Sequence, residues 1–242
     1  MPRFFVNNEQ IDNGEIKIIG EDCKHMAIVL RSKVGDKISV CNGECTDFSC
    51  AIKEINKQEI TLSILSQEES ASEPKTKITL FQALPKADKM ELIIQKCVEL
   101  GVDEIVLVET EFTIVKLNGK EDKKIARFQK ISEGAAKQSG RGKVPKIHSV
   151  VSFKQALEMA SAFELSILAY EKEKEATLKS VIKNSEAKRV ACFVGAEGGF
   201  SENEIFLCKE KNVQTITLGN RILRTETAGF TLIANILYEW EA

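Results

Sequence analysis

Residues 189–204, RVACFVGAEGGFSENE, decide the fold because they join an apolar strand, a glycine-rich turn and a helix start. Arg189–Val194 is short, apolar and rich in β-branched side chains, which predicts a buried strand. Ser201 with Glu204 three residues later is a capping-box pattern, which predicts a helix that continues through Cys208. A strand that leads directly into a helix is the repeating unit of α/β folds.

The same alternation of strand and helix extends through the later part of the chain. In Ala87–Leu100 the apolar residues recur at helical spacing, and Gly101 follows as a helix-ending residue. A second helix is predicted over Lys123–Gln138. Together these patterns predict a mostly parallel sheet covered by helices. Its predicted strands are Lys77–Ala83, Glu104–Val108, Leu165–Ala169, Arg189–Val194 and Gln214–Leu218.

The residues before this region follow a different pattern. Short apolar runs alternate with turn signals such as Asn42-Gly43, which predicts a small all-β barrel, interrupted by a helical stretch over Asp22–Leu30. The polar stretch Ser66–Lys75 is typical of a linker, so we divide the chain into domains at residues 1–69 and 74–242. The predicted strands of the first domain are Phe4–Val6, Ile16–Ile19, Lys37–Cys41, Phe48–Ile55 and Glu59–Leu65.

Composition narrows the functional classes. The 242 residues include 34 Lys and Arg against 36 Asp and Glu, so any nucleic-acid partner must be held by a local patch and not by overall charge. The seven dispersed cysteines favour reduced thiols in a cytoplasmic protein. Cys41, Cys45 and Cys50 lack paired metal-ligand spacing, so no metal site is predicted. No signal peptide or run of about 18 apolar residues indicates export or a membrane.

Ligands of open α/β sheets bind in the loops at the carboxyl ends of the strands. Three predicted loops therefore matter, at residues 169–171, 195–200 and 219–228. The glycines of the second loop permit close backbone approach to a ligand, although a tight strand-to-helix turn would use them equally well. Neither common nucleotide-binding glycine pattern occurs. In the third loop, Arg224 and Glu226 either form a structural ion pair or act on a ligand.

Several motifs together resemble the bacterial 16S rRNA (uracil(1498)-N3)-methyltransferases of the SPOUT class, over nearly the whole chain. Two departures stand out. Ala196 stands where the family usually has proline, and we expect this replacement to loosen the turn. Glu111-Phe-Thr113 stands where an arginine and a small residue are common. The motifs that carry the resemblance are Arg3-Phe-Phe-Val6, His25 with Val29-Leu-Arg31, Met90–Val102, Gln138-Ser-Gly-Arg141 with Val144-Pro145, Gly195-Ala-Glu-Gly-Gly-Phe200 and Leu218–Ala228.

The resemblance implies an N-terminal PUA-like domain, a C-terminal trefoil knot, and methyl transfer from S-adenosylmethionine to N3 of one uridine of small-subunit rRNA. Glycine backbone and apolar walls suit the adenine and methionine parts of that cofactor. The residues expected to hold it are Leu168, Gly195, Ala196, Glu197, Gly198, Leu218, Gly219, Ile222, Leu223 and Thr225.

A sulfonium methyl is already activated, so the protein must align N3 of the uracil with it and remove the N3 proton. Arg224 is expected to stabilise the uracil anion. Glu197 or Glu226 could accept the proton if apolar surroundings raise its pKa, or could simply orient Arg224. Two other functions stay open, a SPOUT ribose 2′-O-methyltransferase and a non-catalytic RNA-binding or ribosome-assembly protein.

The expected partners are 16S rRNA or the small ribosomal subunit and a second copy of the chain. Thr225–Trp240 is apolar on two faces, which favours burial of one face in a symmetric homodimer. Residues 139–146 form a predicted flexible basic loop, which could contact phosphates or could be a solvated helix end. The residues expected to bind RNA are Arg3, Lys24, His25, Arg31, Arg141, Lys143, Lys146 and Arg221.

Overall fold

The computed structural model describes residues 3–86, 88–115, 121–183 and 185–241. The chain divides into two compact units, Met1–Glu73 with Ala136–Val144 and Pro74–Ala135 with Pro145–Ala242. The first unit therefore includes Ala136–Val144, a segment that local sequence patterns place with the second domain. Ala87, where the predicted helix over Ala87–Leu100 starts, lies outside the described residues.

Within the described residues, the first unit contains a six-stranded sheet with strand order β1-β4-β5-β6-β3-β2. Strand β1 is parallel to β4 and the other neighbours are antiparallel. Large apolar side chains such as Phe4, Ile18 and Leu62 form its buried core. The strands are β1 (Arg3–Phe5), β2 (Ile11–Asp12), β3 (Glu15–Ile19), β4 (Lys37–Cys41), β5 (Thr46–Ile55) and β6 (Glu59–Glu69).

The predicted β domain is thus present, with three differences. Strands β1 and β2 lie at opposite edges of the sheet order, so the described strands form a curled half-barrel that is not closed by pairing of its edge strands. Strand β6 continues to Glu69, because Thr46–Ser49 pair with residues 66–69 that the sequence assigned to the linker. The predicted helical stretch begins earlier, as α1 (Gly20–Lys24), and continues as a π-helical turn over His25–Val29.

The predicted parallel sheet is confirmed in the second unit. Its described strands follow the order β12-β10-β11-β7-β8-β9, and every neighbouring pair is parallel. The strands are β7 (Lys77–Ala83), β8 (Glu104–Glu109), β9 (Lys146–Ser152), β10 (Leu165–Ala169), β11 (Arg189–Val194) and β12 (Gln214–Ile216). The helices are α2 (Lys89–Leu100), α3 (Glu121–Ser139), α4 (Phe153–Ala160), α5 (Leu178–Ile182), α6 (Glu202–Glu210) and α7 (Thr225–Glu241).

Aromatic side chains fill the centre of this sheet. Phe81 and Phe193 on neighbouring strands stack with ring centroids 4.5 Å apart, and Phe153 of α4 meets Phe193 edge-on. Complete burial of each such side chain stabilises the fold by roughly 1.5–3 kcal/mol. The strands that end at the site are therefore fixed by the best-packed part of the unit.

Helix α7 buries one face and covers the other only in part. Leu232, Ile233 and Ile236 are buried, whereas Ala234 and Tyr238 are exposed. The helix packs against α2. At the end of α2, Gly101 has a φ of +106°, and a Cβ there would lie 2.8 Å from Pro74 Cγ and 3.0 Å from Leu237 Cδ1. Gly101 therefore ends α2 as predicted, and its lack of a side chain is also needed for packing.

Candidate functional site

The loops that follow β10, β11 and β12 enclose a cavity of about 420 Å³, which we call the donor cavity. All three strands are parallel and neighbouring, so their carboxyl ends lie at one edge of the sheet. The beginning of α7 closes the cavity. Among the residues expected to hold the cofactor, Gly195, Ala196, Leu218, Gly219, Ile222, Leu223 and Thr225 line it.

Three expected cofactor residues lie elsewhere. Leu168 is fully buried in the core, and its neighbour Ala169 lines the donor cavity instead. Successive strand residues point to opposite faces, which accounts for the different surroundings of the two residues, and the role of Leu168 stays a prediction. Glu197 and Gly198 line a different cavity, described below.

The glycine-rich turn between β11 and α6 folds tightly on itself. The N–H of Gly199 donates to the carbonyl of Ala196 at 3.0 Å. Gly199 has a φ of +67°, and a Cβ there would lie 3.0 Å from both carboxylate oxygens of Glu171. A Cβ at Gly195 would lie 3.0 Å from Gly199 Cα. The turn is closed by a backbone hydrogen bond, and the expectation that Ala196 loosens it stays a prediction.

A buried threonine joins this turn to helix α7. Thr225 Oγ1 donates to the carbonyl of Gly195 at 2.5 Å and accepts from Gln82 Nε2 at 2.9 Å. Gln82 is fully buried in β7, and its amide also donates to the carbonyl of Ala83 at 2.9 Å. Sequence reasoning missed Gln82, although a glutamine in the otherwise apolar strand KITLFQA was the available signal.

Glu173 orders the loop that follows β10. Its carboxylate accepts backbone N–H groups from Lys174 and Glu175, each at 3.0 Å, and the Thr215 hydroxyl at 2.8 Å. The hydrogen bond from Glu175, followed by that from Thr215, lowers the pKa of Glu173 to about 2. The carboxylate therefore stays ionised at neutral pH and keeps this wall of the donor cavity in place.

The structure brings the three predicted catalytic side chains together around a lysine that the sequence did not single out. Lys89 Nζ lies 2.7 Å from Glu197 Oε1 and 3.8 Å from Glu226 Oε2. Arg224 Nη1 lies 4.0 Å from Glu226 Oε1, and 82% of the Arg224 side chain is exposed. Lys89 thus connects the glycine-rich turn to the start of α7 and leaves Arg224 open to solvent.

The two carboxylates of this cluster differ in their surroundings. Burial raises the pKa of Glu197, but hydrogen bonds from Lys89 and the backbone N–H of Lys86 outweigh it and lower the pKa below its usual value. Glu197 therefore does not meet the condition of a raised pKa under which it could accept the proton. Within the described structure, Glu226 Oε2 is buried and has no hydrogen-bond partner. Glu226 is the acid with an unused acceptor atom.

A second cavity, of about 590 Å³, lies at the carboxyl ends of β7 and β8, and we call it the acceptor cavity. Its walls include Leu84, Lys86, the loop residues Glu111–Ile114, and Glu197 with Gly198. One turn therefore contributes to both cavities, because residues 195, 196 and 199 line the donor side.

Two arginines expected to contact RNA are already engaged in ion pairs. Arg141 is 3% exposed, and its Nη2 lies 2.6 Å from Glu73 Oε2. Arg3 pairs with Asp47 and also donates to Ser70 Oγ at 3.2 Å. Both guanidinium groups are engaged within the first unit, and contact of these two residues with phosphate stays a prediction.

The predicted flexible basic loop is anchored within the first unit. The N–H of Cys45 donates to the carbonyl of Gly142, and Cys41 Sγ donates to the same carbonyl at 3.0 Å. The other expected RNA-binding residues are more open. Lys24, His25, Arg31 and Lys146 are exposed, Lys143 is half-buried, and Arg221 lines the donor cavity.

The described residues show neither a candidate metal site nor a membrane-spanning helix. Residues 3–86, 88–115, 121–183 and 185–241 contain no group of three or more His, Cys, Asp or Glu side chains placed to hold a metal ion. All seven cysteines are free thiols. Over the same ranges, no helix is long and apolar enough to cross a membrane.

Comparison with known proteins places this arrangement in a family. Residues 72–237 match the family model of an RNA methyltransferase domain, and residues 18–65 match that of an RNA methyltransferase PUA domain. Ribosomal RNA small subunit methyltransferase E of Bacillus subtilis is 34% identical over 100% of this chain and 98% of its own length. The chain belongs to the ribosomal RNA small subunit methyltransferase E family.

Further relatives agree with this assignment. The enzyme of the same name from Mesomycoplasma hyopneumoniae is 33% identical over 98% of this chain and 99% of its own length. The crystal structure of the Neisseria gonorrhoeae enzyme, bound to S-adenosylmethionine, is 29% identical with a TM-score of 0.85, and covers 99% of this chain and 98% of that one. The resemblance drawn from the sequence motifs and the expected PUA and methyltransferase domains are thus confirmed.

Proposed function

We propose that this protein transfers the methyl group of S-adenosylmethionine to N3 of the uridine at position 1498 of 16S rRNA in the small ribosomal subunit. The donor cavity carries the proposal, since three loops enclose it at the carboxyl edge of the sheet in a chain of this family. Support also comes from the relatives, which are named for action on small-subunit rRNA, one of them bound to the cofactor.

The residues of the donor cavity fit this cofactor. Its volume lies within the roughly 300–1,000 Å³ of small-molecule sites. Backbone groups of Gly195, Leu218 and Gly219 can meet the polar edges of the adenine, while Ile222 and Leu223 supply apolar walls. Bound there, S-adenosylmethionine supplies an activated sulfonium methyl group.

The charged cluster performs the remaining chemistry. Arg224 is exposed beside the start of α7, where its guanidinium can hydrogen-bond the uracil carbonyl oxygens as negative charge develops on the ring. Glu226, whose buried Oε2 has no hydrogen-bond partner in the described structure and lies 3.8 Å from Lys89 Nζ, accepts the N3 proton directly or through water. Lys89 holds Glu197 ionised and fixes the turn between the cavities.

Replacement of Arg224 tests this assignment. Arg224→Ala should lower the rate of methyl transfer by about 10²–10³-fold, because one stabilising donor to the developing anion is lost. S-adenosylmethionine affinity, measured by calorimetry, should stay near the wild-type value. Arg127→Ala, at a comparably exposed arginine on α3, is the control. Turnover of Arg224→Ala near the wild-type rate would contradict the role.

The modified atom is tested by mass spectrometry of rRNA from a deletion strain. Loss of N3-methyluridine at position 1498, restored by the purified protein with S-adenosylmethionine and deletion-strain 30S subunits, supports the proposal. Loss of a 2′-O-methyl group instead would support the ribose methyltransferase. No missing methyl group would favour a non-catalytic RNA-binding or assembly protein.

We further propose a cytoplasmic homodimer whose C-terminal region carries a trefoil knot. The partly covered face of α7, with Ala234 and Tyr238 exposed, supports burial against a second copy. The exposed Lys24, His25 and Arg31 support rRNA contact by the first unit. Light scattering of the purified protein should give twice the 26.9 kDa chain mass, and a monomer would contradict the dimer.

A further inference from the structure

The acceptor cavity is separated from the donor cavity by a single turn. Gly195, Ala196 and Gly199 face the donor side, while Glu197 and Gly198 face the acceptor side. In-line methyl transfer needs donor and acceptor within about 3–3.5 Å along one axis. A base in the acceptor cavity can meet that distance only past the edge of the turn, on the side where Lys89 Nζ joins Glu197 to Glu226.

The acceptor cavity presents an aromatic ring on a braced turn. Phe112 is 44% exposed, although buried sites suit a side chain of this size. The turn beneath it is closed by Thr113 N–H to the Thr110 carbonyl, at 3.0 Å, and by the two threonine hydroxyls, 2.8 Å apart. The N–H of Glu111 donates to Glu204 Oε1 at 2.9 Å. The ring is therefore held in place without being covered.

The ring also packs directly on the shared turn. A Cβ at Gly198 would lie 2.8 Å from Phe112 Cβ, so only glycine allows this approach. Beside the ring, Ile114 is 71% exposed and continues the apolar surface. The aromatic surface thus begins at the wall of the donor cavity.

The charges of the acceptor cavity favour a neutral ligand with N–H donors. Glu111 and Glu197 line it, and their negative charges oppose a phosphate inside, whereas carboxylate oxygens can accept hydrogen bonds from a base. Lys86 is exposed at the same cavity and can pair with a backbone phosphate outside. This pattern matches a nucleotide whose base enters while its phosphates remain at the rim.

We propose that the acceptor cavity receives the target uracil, flipped out of the rRNA, and that Phe112 is the surface on which the base stacks. The inference rests on the proposed function, since it supplies the binding site for that reaction's acceptor. Enzymes that modify bases commonly extrude the nucleotide and stack it on aromatic or apolar side chains. Phe112 is then a substrate-binding residue specific to the acceptor.

Variants of Phe112 test the stacking. Base–aromatic stacking corresponds to roughly a 5- to 150-fold change in binding, so kcat/KM for 30S subunits should fall by about that factor in Phe112→Ala. Phe112→Leu is apolar but cannot stack, so its kcat/KM should be lowered as in Phe112→Ala. Phe112→Trp can stack, so its kcat/KM should be close to that of wild type. S-adenosylmethionine affinity should be unchanged in all three. The matched control is Phe206→Ala, at a 58% exposed phenylalanine on α6.

The outcomes separate this inference from the proposed function. If wild-type protein forms no N3-methyluridine on deletion-strain 30S subunits, the proposed function fails. If wild type is active and Phe112→Ala matches Phe206→Ala, the stacking inference alone is overturned.

Photocrosslinking gives an independent readout. RNA with 4-thiouridine at the target position should crosslink to the peptide that contains residues 111–114. Crosslinks confined to the first unit, with none in that peptide, would also overturn the inference.

Discussion

The ion pair between Arg141 and Glu73 offers a sharp test of whether this arginine is structural. Its Nη2 lies 2.6 Å from Glu73 Oε2 and its Nε 3.2 Å from Glu73 Oε1. The same carboxylate accepts backbone N–H groups of Gly142 and Lys143 at 2.9 and 3.2 Å. The two side chains are only 4% and 6% exposed. Arg141→Ala would leave Glu73 buried without the guanidinium.

The expected loss of stability in Arg141→Ala is large because the buried charge of Glu73 is then uncompensated. Removal of one partner from a buried ion pair costs about 3–5 kcal/mol. Burial alone raises the pKa of Glu73, and Arg141 with the two backbone donors reverses this and lowers it. For a chain of about 150–250 residues, 1 kcal/mol corresponds to roughly 2–4 °C in Tm, so Arg141→Ala should melt about 6–20 °C lower. Arg141→Met with Glu73→Gln should recover much of the loss, since no buried charge is then unpaired.

Thermal and urea unfolding measure stability, and filter binding with a 16S rRNA fragment measures affinity. Lys146→Ala, at an exposed lysine, is the control and should melt within about 1 °C of wild type. If Arg141→Ala melts like wild type and instead loses RNA affinity, the guanidinium contacts phosphate and the structural interpretation is refuted.

Two further variants probe the charges of the site. Lys89→Met removes the cation that lowers the Glu197 pKa, so the pKa of Glu197 should rise. NMR titration of labelled glutamate measures this pKa, and an unchanged value would show that Lys89 does not control it. Glu173 has a pKa of about 2 in the folded protein, below the roughly 4.3 of an unfolded chain. Its ionised carboxylate therefore stabilises the fold fully above about pH 4.3, and this stabilisation is lost as the pH falls from there toward 2. The Tm gap between wild type and Glu173→Gln should shrink over that window, and a constant gap would contradict this.

The sequence predicted the central strands well and the edge strands poorly. Lys77–Ala83, Leu165–Ala169 and Arg189–Val194 have the predicted bounds, because the strands are buried over most of their length and the runs are mostly apolar. Strands β2 and β9 were missed. Both lie at sheet edges, and β9 carries His and Ser among its apolar residues, which weakens the local signal.

For the site, the three loops could be predicted but their supporting contacts could not. A rule about strand ends locates loops from local patterns alone. The contacts of Lys89 with Glu197 and of Gln82 with Thr225 join residues 108 and 143 positions apart. The ion pair of Arg141 was missed for the same reason, since its partner Glu73 lies 68 residues earlier. Such pairs depend on tertiary packing, which no local pattern records.

One carboxylate links the two cavities and explains how they can work together. Glu204 is 5% exposed; its Oε2 accepts the N–H of Ser201, which caps α6 after the glycine-rich turn, and its Oε1 accepts the N–H of Glu111, beneath Phe112. A misplacement of about 1 Å can slow a transfer 10²-fold. Because the glycine-rich turn and the turn beneath Phe112 are bonded to the same helix end, a shift of one carries the other with it. In the proposed reaction, the glycines of the turn allow the reactants to approach closely while Glu204 keeps their alignment.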